Sequence, residues 1–268
     1  MILILTTDGK NDILKQEFFE IENQSYTMRY AMLKIKGLTK KYGEKCAVED
    51  LTLQIKEGEI CAFIGHNGAG KTTTLKACVG LLDFDEGEIL IDGVSIRENP
   101  IKCKQMIAYI PDNPDLYEFL TGIRYLNFIA DVFGIGTKER NERIQKYADT
   151  FELTKDLGAP IATYSHGMKQ KLAIIAAWIH SPKLILMDEP FVGLDPKASH
   201  RLKEMMHQHC EGGGSIFFST HVLDVAEKLC DRVAIIKDGK LIVTDSMERV
   251  KGDATLEAVF LELEGENA

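Results

Sequence analysis

Short apolar runs bounded by turn residues mark the part of the chain that follows residue 31. Such runs are typical of β-strands, and Asp-Gly pairs between them favour tight turns. The pattern predicts strands over residues 33–35, 51–55, 59–64 and 89–91, the last of them followed by Asp92-Gly93. Residues 1–31 lack comparable periodicity, so they are interpreted as a loosely packed N-terminal extension, with Met28 or Met32 as an alternative start.

Helical patterns replace the strands in the middle of the chain. Thr121 is a suitable N-cap and Gly134 a suitable stop for one helix. Further helices are predicted from about residue 137 and from Ser165 to about residue 180. Because no strand pattern interrupts residues 113–180, this part of the chain is predicted to form an inserted helical subdomain.

Strands and helices alternate in the remaining part. The apolar run that ends at residue 187 fits a strand covered on both faces, as in a parallel sheet. The whole pattern predicts an α/β core that carries a helical lobe. The later elements are a strand over 183–187, a helix after Pro196, a strand over 215–220, a short helix from Val222, a hairpin of 233–236 and 240–244, and a C-terminal helix after Met247.

Composition and charge limit the partners of this α/β protein. The 268 residues carry a formal net charge of −9 and no stripe of Lys and Arg, which argues against nucleic acid as a partner. The six cysteines form no CxxC pair, so buried reduced thiols and a cytosolic compartment are expected. The longest apolar run, residues 172–179, is far shorter than the roughly 20 residues of a membrane span, so another chain is expected to supply any span.

The strongest motif joins the predicted strand 59–64 to a helix that begins near Lys71. It has the form GxxxxGK[ST], in which glycines let backbone N–H groups converge on phosphate oxygens at a helix N-terminus. Lys71 would neutralise the β- and γ-phosphates, and the Thr72 hydroxyl would ligate Mg²⁺. The phosphate-binding candidates are Gly65, His66, Asn67, Gly68, Ala69, Gly70, Lys71, Thr72 and Thr73.

Two acidic residues, Asp188 and Glu189, follow the strand predicted over 183–187. Carboxylates at this end of a parallel strand stand where ligands bind in open α/β folds. Asp188 would hold Mg²⁺, and Glu189 would orient or deprotonate the attacking water. Alone, such a pair is usually a solvated strand end, but together with a phosphate-binding loop it indicates a catalytic site.

The two motifs and the segment between them, Tyr164-Ser165-His166-Gly167-Met168-Lys169-Gln170, resemble those of ABC transporter ATP-binding subunits. The resemblance runs from about residue 32 to residue 244. It implies a P-loop NTPase fold with a RecA-like core, an antiparallel β subdomain and the helical subdomain, within an ATP-binding domain over residues 32–246. A C-terminal helix or tail would occupy 247–268, and ATP and Mg²⁺ would be the cofactors.

The resemblance also gives roles to residues whose own pattern says little. Ser165 and Gly167 match the signature loop that, in the family, faces the ATP held by the other subunit; from the residues alone, Ser165 is an N-cap. His221 matches the switch histidine that contacts the γ-phosphate, and Tyr42 matches the aromatic residue that stacks on adenine. In isolation each would be a surface or packing residue. Gly193-Leu194-Asp195 resembles the D-loop that crosses between subunits.

The signature segment departs from the family pattern at three positions. Tyr164, His166 and Met168 stand where Leu, Gly and Gln are usual. Ser165 and Gly167, which would contact phosphate, are kept.

A further departure concerns Asp112, which stands where the family has a glutamine that senses Mg²⁺ and the attacking water. An aspartate accepts hydrogen bonds but cannot donate them, and it adds negative charge near phosphate. Because Lys71, Glu189 and His221 are all present, hydrolysis is expected to persist.

The resemblance implies a subunit that dimerises head to tail around two MgATP, as a homodimer or a heterodimer, and drives a separate integral membrane permease from its cytoplasmic face. The single cassette and the Pro111-Asp112 loop favour export over import. The alternatives are a single-cassette ATPase with an assembly role outside transport and a regulatory module without turnover. The identity of any transported substrate lies outside this sequence.

The family docks its membrane partner near the residues that follow Asn113. The apolar residues of this segment are Leu116, Tyr117, Phe119 and Leu120. Most of their side chains are expected to belong to the core of the helical lobe.

Overall fold

The computed structural model describes residues 31–265, which form two β-sheets with helices packed around them. The predicted N-terminal extension lies outside the described residues, apart from Ala31, which begins the first strand. Among the residues described, none of the helices combines the length and the apolar character needed to span a membrane.

Ten strands make up the two sheets in this part of the chain. They are β1 (Ala31–Tyr42), β2 (Lys45–Lys56), β3 (Ile60–Ile64), β4 (Glu86–Ile91), β5 (Val94–Ser95), β6 (Ile107–Ile110), β7 (Leu184–Asp188), β8 (Ser215–Thr220), β9 (Arg232–Lys237) and β10 (Lys240–Ser246).

The smaller sheet is antiparallel and has the strand order β2-β1-β4-β5. Alternate residues of β1, such as Leu33 and Ile35, are fully buried. They share one core with Phe63 and Phe217 of the larger sheet, whose rings lie 5.2 Å apart. The smaller sheet therefore covers one face of the larger one.

The larger sheet has the order β10-β9-β3-β8-β7-β6, and its neighbours are parallel except for the edge strand β10. Strands β3, β7 and β8 are buried along their whole length, as predicted for strands covered on both faces. Because β3, β6, β7 and β8 run in the same direction, their C-terminal ends meet at one edge of the sheet.

Nine α-helices surround the sheets within residues 31–265. They are α1 (Lys71–Cys78), α2 (Pro100–Met106), α3 (Gly122–Val132), α4 (Thr137–Thr150), α5 (His166–Ile179), α6 (Pro196–Glu211), α7 (Leu223–Leu229), α8 (Met247–Lys251) and α9 (Leu256–Glu264).

The three predicted helices between β6 and β7 are confirmed as α3, α4 and α5. The Thr121 hydroxyl caps α3 by accepting a hydrogen bond from the Arg124 N–H, 3.4 Å away. Gly134, just beyond α3, has a φ of 68°, a conformation that glycine adopts easily. Ser165 caps α5 by accepting from the Met168 N–H at 3.3 Å. The predicted caps and stop therefore have the expected geometry.

Several elements differ from the prediction, among them β2, which has twelve residues rather than the predicted five, and β5, which was not predicted. Strand β1 has twelve residues, not the predicted three. The prediction was too short because Lys34 and Lys36, on the less buried face, interrupt the apolar run, although pairing with β2 continues. Helix α2 was not predicted, although Asn99 and a proline at its first position are an N-terminal signal. The single helix predicted after residue 247 is in fact two, α8 and α9, separated at Gly252 with a φ of 53°.

His180 ends α5 in a half-buried site against α3. Its ring stacks on Phe133 with the centroids 3.7 Å apart, and its Nε2 atom donates to the Ile107 carbonyl at 3.1 Å. Burial lowers the pKa of His180 to about 4, from an ordinary value of 6.5. The side chain is therefore neutral at pH 7 in the folded protein.

We expect His180 to make the protein less stable as the pH falls from about 6.5 to about 4. The unfolded chain takes up the proton in this range and the folded chain does not, so the free energy of unfolding should drop by about 2 kcal/mol between pH 7 and pH 5 from this residue. In His180→Gln, which keeps a donor for the Ile107 carbonyl but does not titrate, urea unfolding at the two pH values should show a drop smaller by that amount. An equal drop in both proteins would contradict the assignment.

Candidate active site

The predicted phosphate-binding loop connects the buried strand β3 to helix α1. A Cβ atom at Gly65 would lie 2.4 Å from the Ile236 carbonyl oxygen, and one at Gly70 would lie 2.6 Å from the Ala47 carbonyl oxygen. Gly70 also has a φ of 111°, outside the range of other residues. Both glycines are therefore required by close packing of the loop on its neighbours.

Helix α1 presents its N-terminus to an open cleft. Its N-cap residue, Gly70, has no side chain to accept a hydrogen bond from the first turn. The next three residues, Lys71, Thr72 and Thr73, line the cleft. The first-turn N–H groups of a helix have no partner within the helix and attract anions. This arrangement suits a phosphate group.

Lys71 is almost entirely buried beneath the loop. Its ammonium group donates hydrogen bonds to the Gly65 carbonyl at 2.6 Å and to the His66 carbonyl at 3.1 Å. Burial lowers the pKa of Lys71, whereas the negative charges of Glu189 and Asp188 act in the opposite direction. The ammonium group thus holds the loop in shape and places a positive charge under it.

Asp188 is the last residue of β7 and is buried. One carboxylate oxygen accepts a hydrogen bond from the Thr72 hydroxyl at 2.6 Å, and the other accepts one from Ser219 on β8. A carboxylate beside a hydroxyl at a phosphate site is the oxygen donor set that Mg²⁺ uses with a nucleotide. The residues present therefore fit a magnesium ion held by Thr72 and Asp188.

Glu189 has a strained backbone and a fixed side chain. Its φ of 47° is uncommon for a residue other than glycine, and such strain is concentrated at functional sites. Its N–H donates to the Ser219 carbonyl at 3.2 Å and to the Ser219 hydroxyl at 3.1 Å. His221 Nδ1 lies 2.9 Å from the Glu189 carboxylate, so His221 orients the side chain while Ser219 holds the backbone.

The cleft beside these groups has a volume of about 550 Å³. It brings together most of the predicted ATP-binding residues. Those that line it are Tyr42, Asn67, Gly68, Gly70, Lys71, Thr72, Thr73, Asp112, Asp188 and Glu189.

Six further residues line the cleft and were not predicted as site residues: Lys45, Ala47, Lys76, Tyr109, Pro111 and Asn113. Lys45 follows the turn after Tyr42, and Lys76 lies on α1, so the positions of the predicted residues were a signal for both. Tyr109 lies within an ordinary apolar strand, and no sequence signal distinguishes it.

The signature residues Ser165 and Gly167 are not among those that line the cleft. They lie at the start of α5, where Gly167 and the neighbouring His166 pack on the predicted D-loop of the same chain. A Cβ at Gly167 would be 2.7 Å from the Gly193 carbonyl oxygen, and one at Gly193 would be 2.4 Å from the His166 ring. Gly193 thus makes room for His166, one of the departures from the family pattern.

Tyr164, another of the departures, is buried in the helical part of the chain. Its hydroxyl donates to the Asp156 carbonyl at 2.7 Å. A Cβ at Gly122 would come within 2.4 Å of this hydroxyl, so the tyrosine fits because residue 122 is glycine. The departure at position 164 therefore concerns packing rather than contact with nucleotide.

Four aromatic residues form a cluster on the surface of the helical part, which we call the aromatic patch. Its members are Tyr117, Phe119, Tyr125 and Phe128, with the Tyr117 ring 5.8–6.2 Å from the other three. Phe119 is 83% exposed, and Tyr117 and Phe128 are exposed by nearly half. The expectation that most apolar residues of this segment are in the core holds for Leu116 and Leu120 and is wrong for Tyr117 and Phe119.

Residues 48–192 match a protein family described as ABC transporter. The ABC-type transporter ATP-binding protein EcsA of Bacillus subtilis is 34% identical over 243 residues, which cover 89% of this chain and 98% of EcsA. The linearmycin resistance ATP-binding protein LnrL of the same organism is 35% identical over 230 residues, 84% of this chain and 74% of LnrL.

Solved structures of similar proteins share the whole fold. An ATP-binding subunit of an ABC transporter superposes with a TM-score of 0.84 and 36% identity, covering 87% of this chain and 99% of the other. The ATP-binding cassette MJ0796, in a dimeric post-hydrolysis state with ADP and Pi, superposes with a TM-score of 0.74 and 26% identity, covering 81% and 99%. The predicted P-loop NTPase fold is confirmed.

Proposed function

Since the chain belongs to the ABC transporter family of ATP-binding proteins, we propose that it dimerises head to tail around two MgATP and powers a separate membrane permease. It is an ATPase whose cofactors are ATP and Mg²⁺, as in the rest of the family.

The main support for a dimer is that the predicted ATP-binding residues lie in two separate places on the chain. The cleft holds the phosphate-binding loop, Asp188 and Glu189, whereas Ser165 and Gly167 lie outside it. A second chain in head-to-tail orientation would place its own Ser165 and its α5 N-terminus over the open side of the cleft. Val192 and Val222, close in sequence to Glu189 and His221, are exposed apolar side chains that such a contact would cover.

Each residue of the cleft has a role in this arrangement. Tyr42 stacks on the adenine, and Lys71 with the N–H groups of α1 holds the phosphates. Thr72 and Asp188 would hold Mg²⁺, which would supply positive charge to neutralise phosphate oxygens.

Hydrolysis then depends on Glu189 and His221. Glu189 accepts a proton from the water whose oxygen bonds to the γ-phosphorus as the bond to the β,γ-bridging oxygen breaks. His221 orients Glu189 through the 2.9 Å contact and, as in the family, would contact the γ-phosphate.

The membrane partner is proposed to bind at the aromatic patch. Exposed aromatic clusters on soluble domains mark interaction sites, and aromatic residues dominate the binding energy of interfaces. A groove of about 220 Å³ between β6, α3 and α5, lined by Tyr125 and Leu116 among others, continues the patch. We place the protein on the cytoplasmic face of the membrane through this contact.

The direction of transport is proposed to be export. The name of LnrL attributes to that relative a role in linearmycin resistance. The single cassette and the Pro111-Asp112 loop agree with this direction.

Membrane retention tests the permease contact. We expect the tagged chain, expressed with its native membrane proteins, to sediment with the membranes, and Phe119→Ser to bind them about tenfold more weakly because an interface aromatic is lost. Ile101→Ser is the matched control, since Ile101 is 74% exposed but lies on α2, outside the patch. Parent and both variants should hydrolyse ATP equally when purified.

Two results would count against the permease contact. If the parent stays in the soluble fraction while hydrolysing ATP, an assembly role outside transport would be favoured. If Phe119→Ser and Ile101→Ser weaken membrane binding to the same extent, the contact is not specific to the aromatic patch.

A further inference from the structure

Tyr109 carries a buried hydroxyl that has no hydrogen-bond partner within residues 31–265. It lies on β6 opposite Leu186 of β7, two residues before Asp188, and it forms part of the cleft wall. Buried hydroxyls without a partner are rare, because the lost contact with water is not compensated. Tyr109 therefore offers an unused hydrogen-bond donor at the nucleotide cleft.

Two carboxylates act on this hydroxyl. Burial raises the pKa of Tyr109, and the negative charges of Asp188 and Asp112 raise it further. The hydroxyl consequently stays protonated, and a protonated hydroxyl donates readily to a carboxylate.

Asp112 is the carboxylate still free to accept such a bond. Each oxygen of Asp188 already accepts one hydrogen bond, from Thr72 or Ser219, and the same carboxylate would hold Mg²⁺. Asp112 is exposed, lies on the same cleft wall and is only three residues beyond Tyr109. A carboxylate in a cleft that binds phosphate is unfavourable unless a donor stabilises its charge.

We propose that, with nucleotide in the cleft, the Tyr109 hydroxyl donates a hydrogen bond to Asp112 and positions its carboxylate to accept one from the attacking water. The pair does the work of the single glutamine that is usual at position 112. Tyr109 is thus a positioning residue, which acts on the reaction through Asp112. The proposal rests on the proposed function in one respect, that hydrolysis takes place at this cleft.

A double-mutant cycle in steady-state ATP hydrolysis tests the pair. We expect Tyr109→Phe to lower kcat about tenfold, the equivalent of one lost hydrogen bond, and to leave the KM for ATP within about twofold. In the Asp112→Gln background, where the amide does not depend on Tyr109, the same change should alter kcat by less than about twofold. Tyr147→Phe, which removes a tyrosine hydroxyl on α4, is the matched control and should keep the parental kcat.

Several outcomes would overturn the pairing. They are an unchanged kcat in Tyr109→Phe, an equal loss in both backgrounds, or complete inactivity of Asp112→Gln, which would show that aspartate does not stand in for glutamine. A melting temperature of Tyr109→Phe far below that of Tyr147→Phe would make the hydroxyl structural. Failure of the proposed function is recognised separately, because Glu189→Gln would keep the parental turnover if hydrolysis did not take place at this cleft.

Discussion

Glu189→Gln is expected to lower ATP turnover by roughly 10²–10⁴-fold, the range for loss of a general base, and to trap a dimer with ATP. The amide keeps the size of the side chain and its contact with His221 Nδ1, 2.9 Å away in the parent, but it cannot take up the proton of the attacking water. The nucleotide then stays intact between the two chains. The measurement is ATPase activity together with size-exclusion chromatography in MgATP.

A matched control for this variant is Glu152→Gln. Glu152 also has a left-handed backbone, with a φ of 57°, but it follows α4 and forms an ion pair with Lys197. Its variant should keep the parental turnover. If Glu189→Gln retained parental turnover, Glu189 would not be the base. If it lost turnover but stayed monomeric in ATP, the head-to-tail dimer would be wrong for the isolated chain.

Lys71→Met is expected to abolish most nucleotide binding and to lower turnover by roughly 10²–10³-fold, because the positive charge that faces the phosphates is lost. The substitution also leaves the Gly65 and His66 carbonyls without their shared donor, so the loop loses part of its support. Methionine fills the buried volume of the lysine stem, which limits the effect on folding.

The measurement is ATP binding by titration calorimetry, followed by ATPase activity. Lys183→Met is the matched control, since Lys183 precedes β7 at the opposite end from Asp188 and pairs with Asp92 at the surface. It should bind and hydrolyse ATP as the parent does. Parental affinity in Lys71→Met would place the phosphates away from this loop.

Much of the fold follows from local sequence. Strands β3, β7 and β8 are predictable because each contains a continuous run of three to five apolar residues, and Ser165 and Thr121 are recognisable as caps by their side-chain hydroxyls. The extent of β1 was underestimated because lysines on its exposed face hide the strand, and α2 was missed because it is only seven residues long.

The site was predictable where one motif holds its residues together. Lys71 and Thr72 belong to one loop, so their proximity is local. Ser219 contacts Asp188 and Glu189, which lie about thirty residues earlier in the chain. No residue pattern in either strand predicts these contacts. The unpartnered hydroxyl of Tyr109 arises from three-dimensional burial and has no counterpart in the pattern of residues.

The fit between Tyr164 and Gly122 restricts how such a sequence can change over evolutionary time. A side chain at position 122 would collide with the tyrosine hydroxyl, so a larger residue there and a tyrosine at 164 exclude each other. Starting from the leucine usual in the family at position 164, a lineage can acquire this pair by first changing residue 122 to glycine, which leaves a small void. In the reverse order, tyrosine at position 164 would clash with the side chain still present at position 122. The two positions are therefore expected to covary among close relatives, and restoring the usual leucine here would empty a filled space and lose the bond to Asp156.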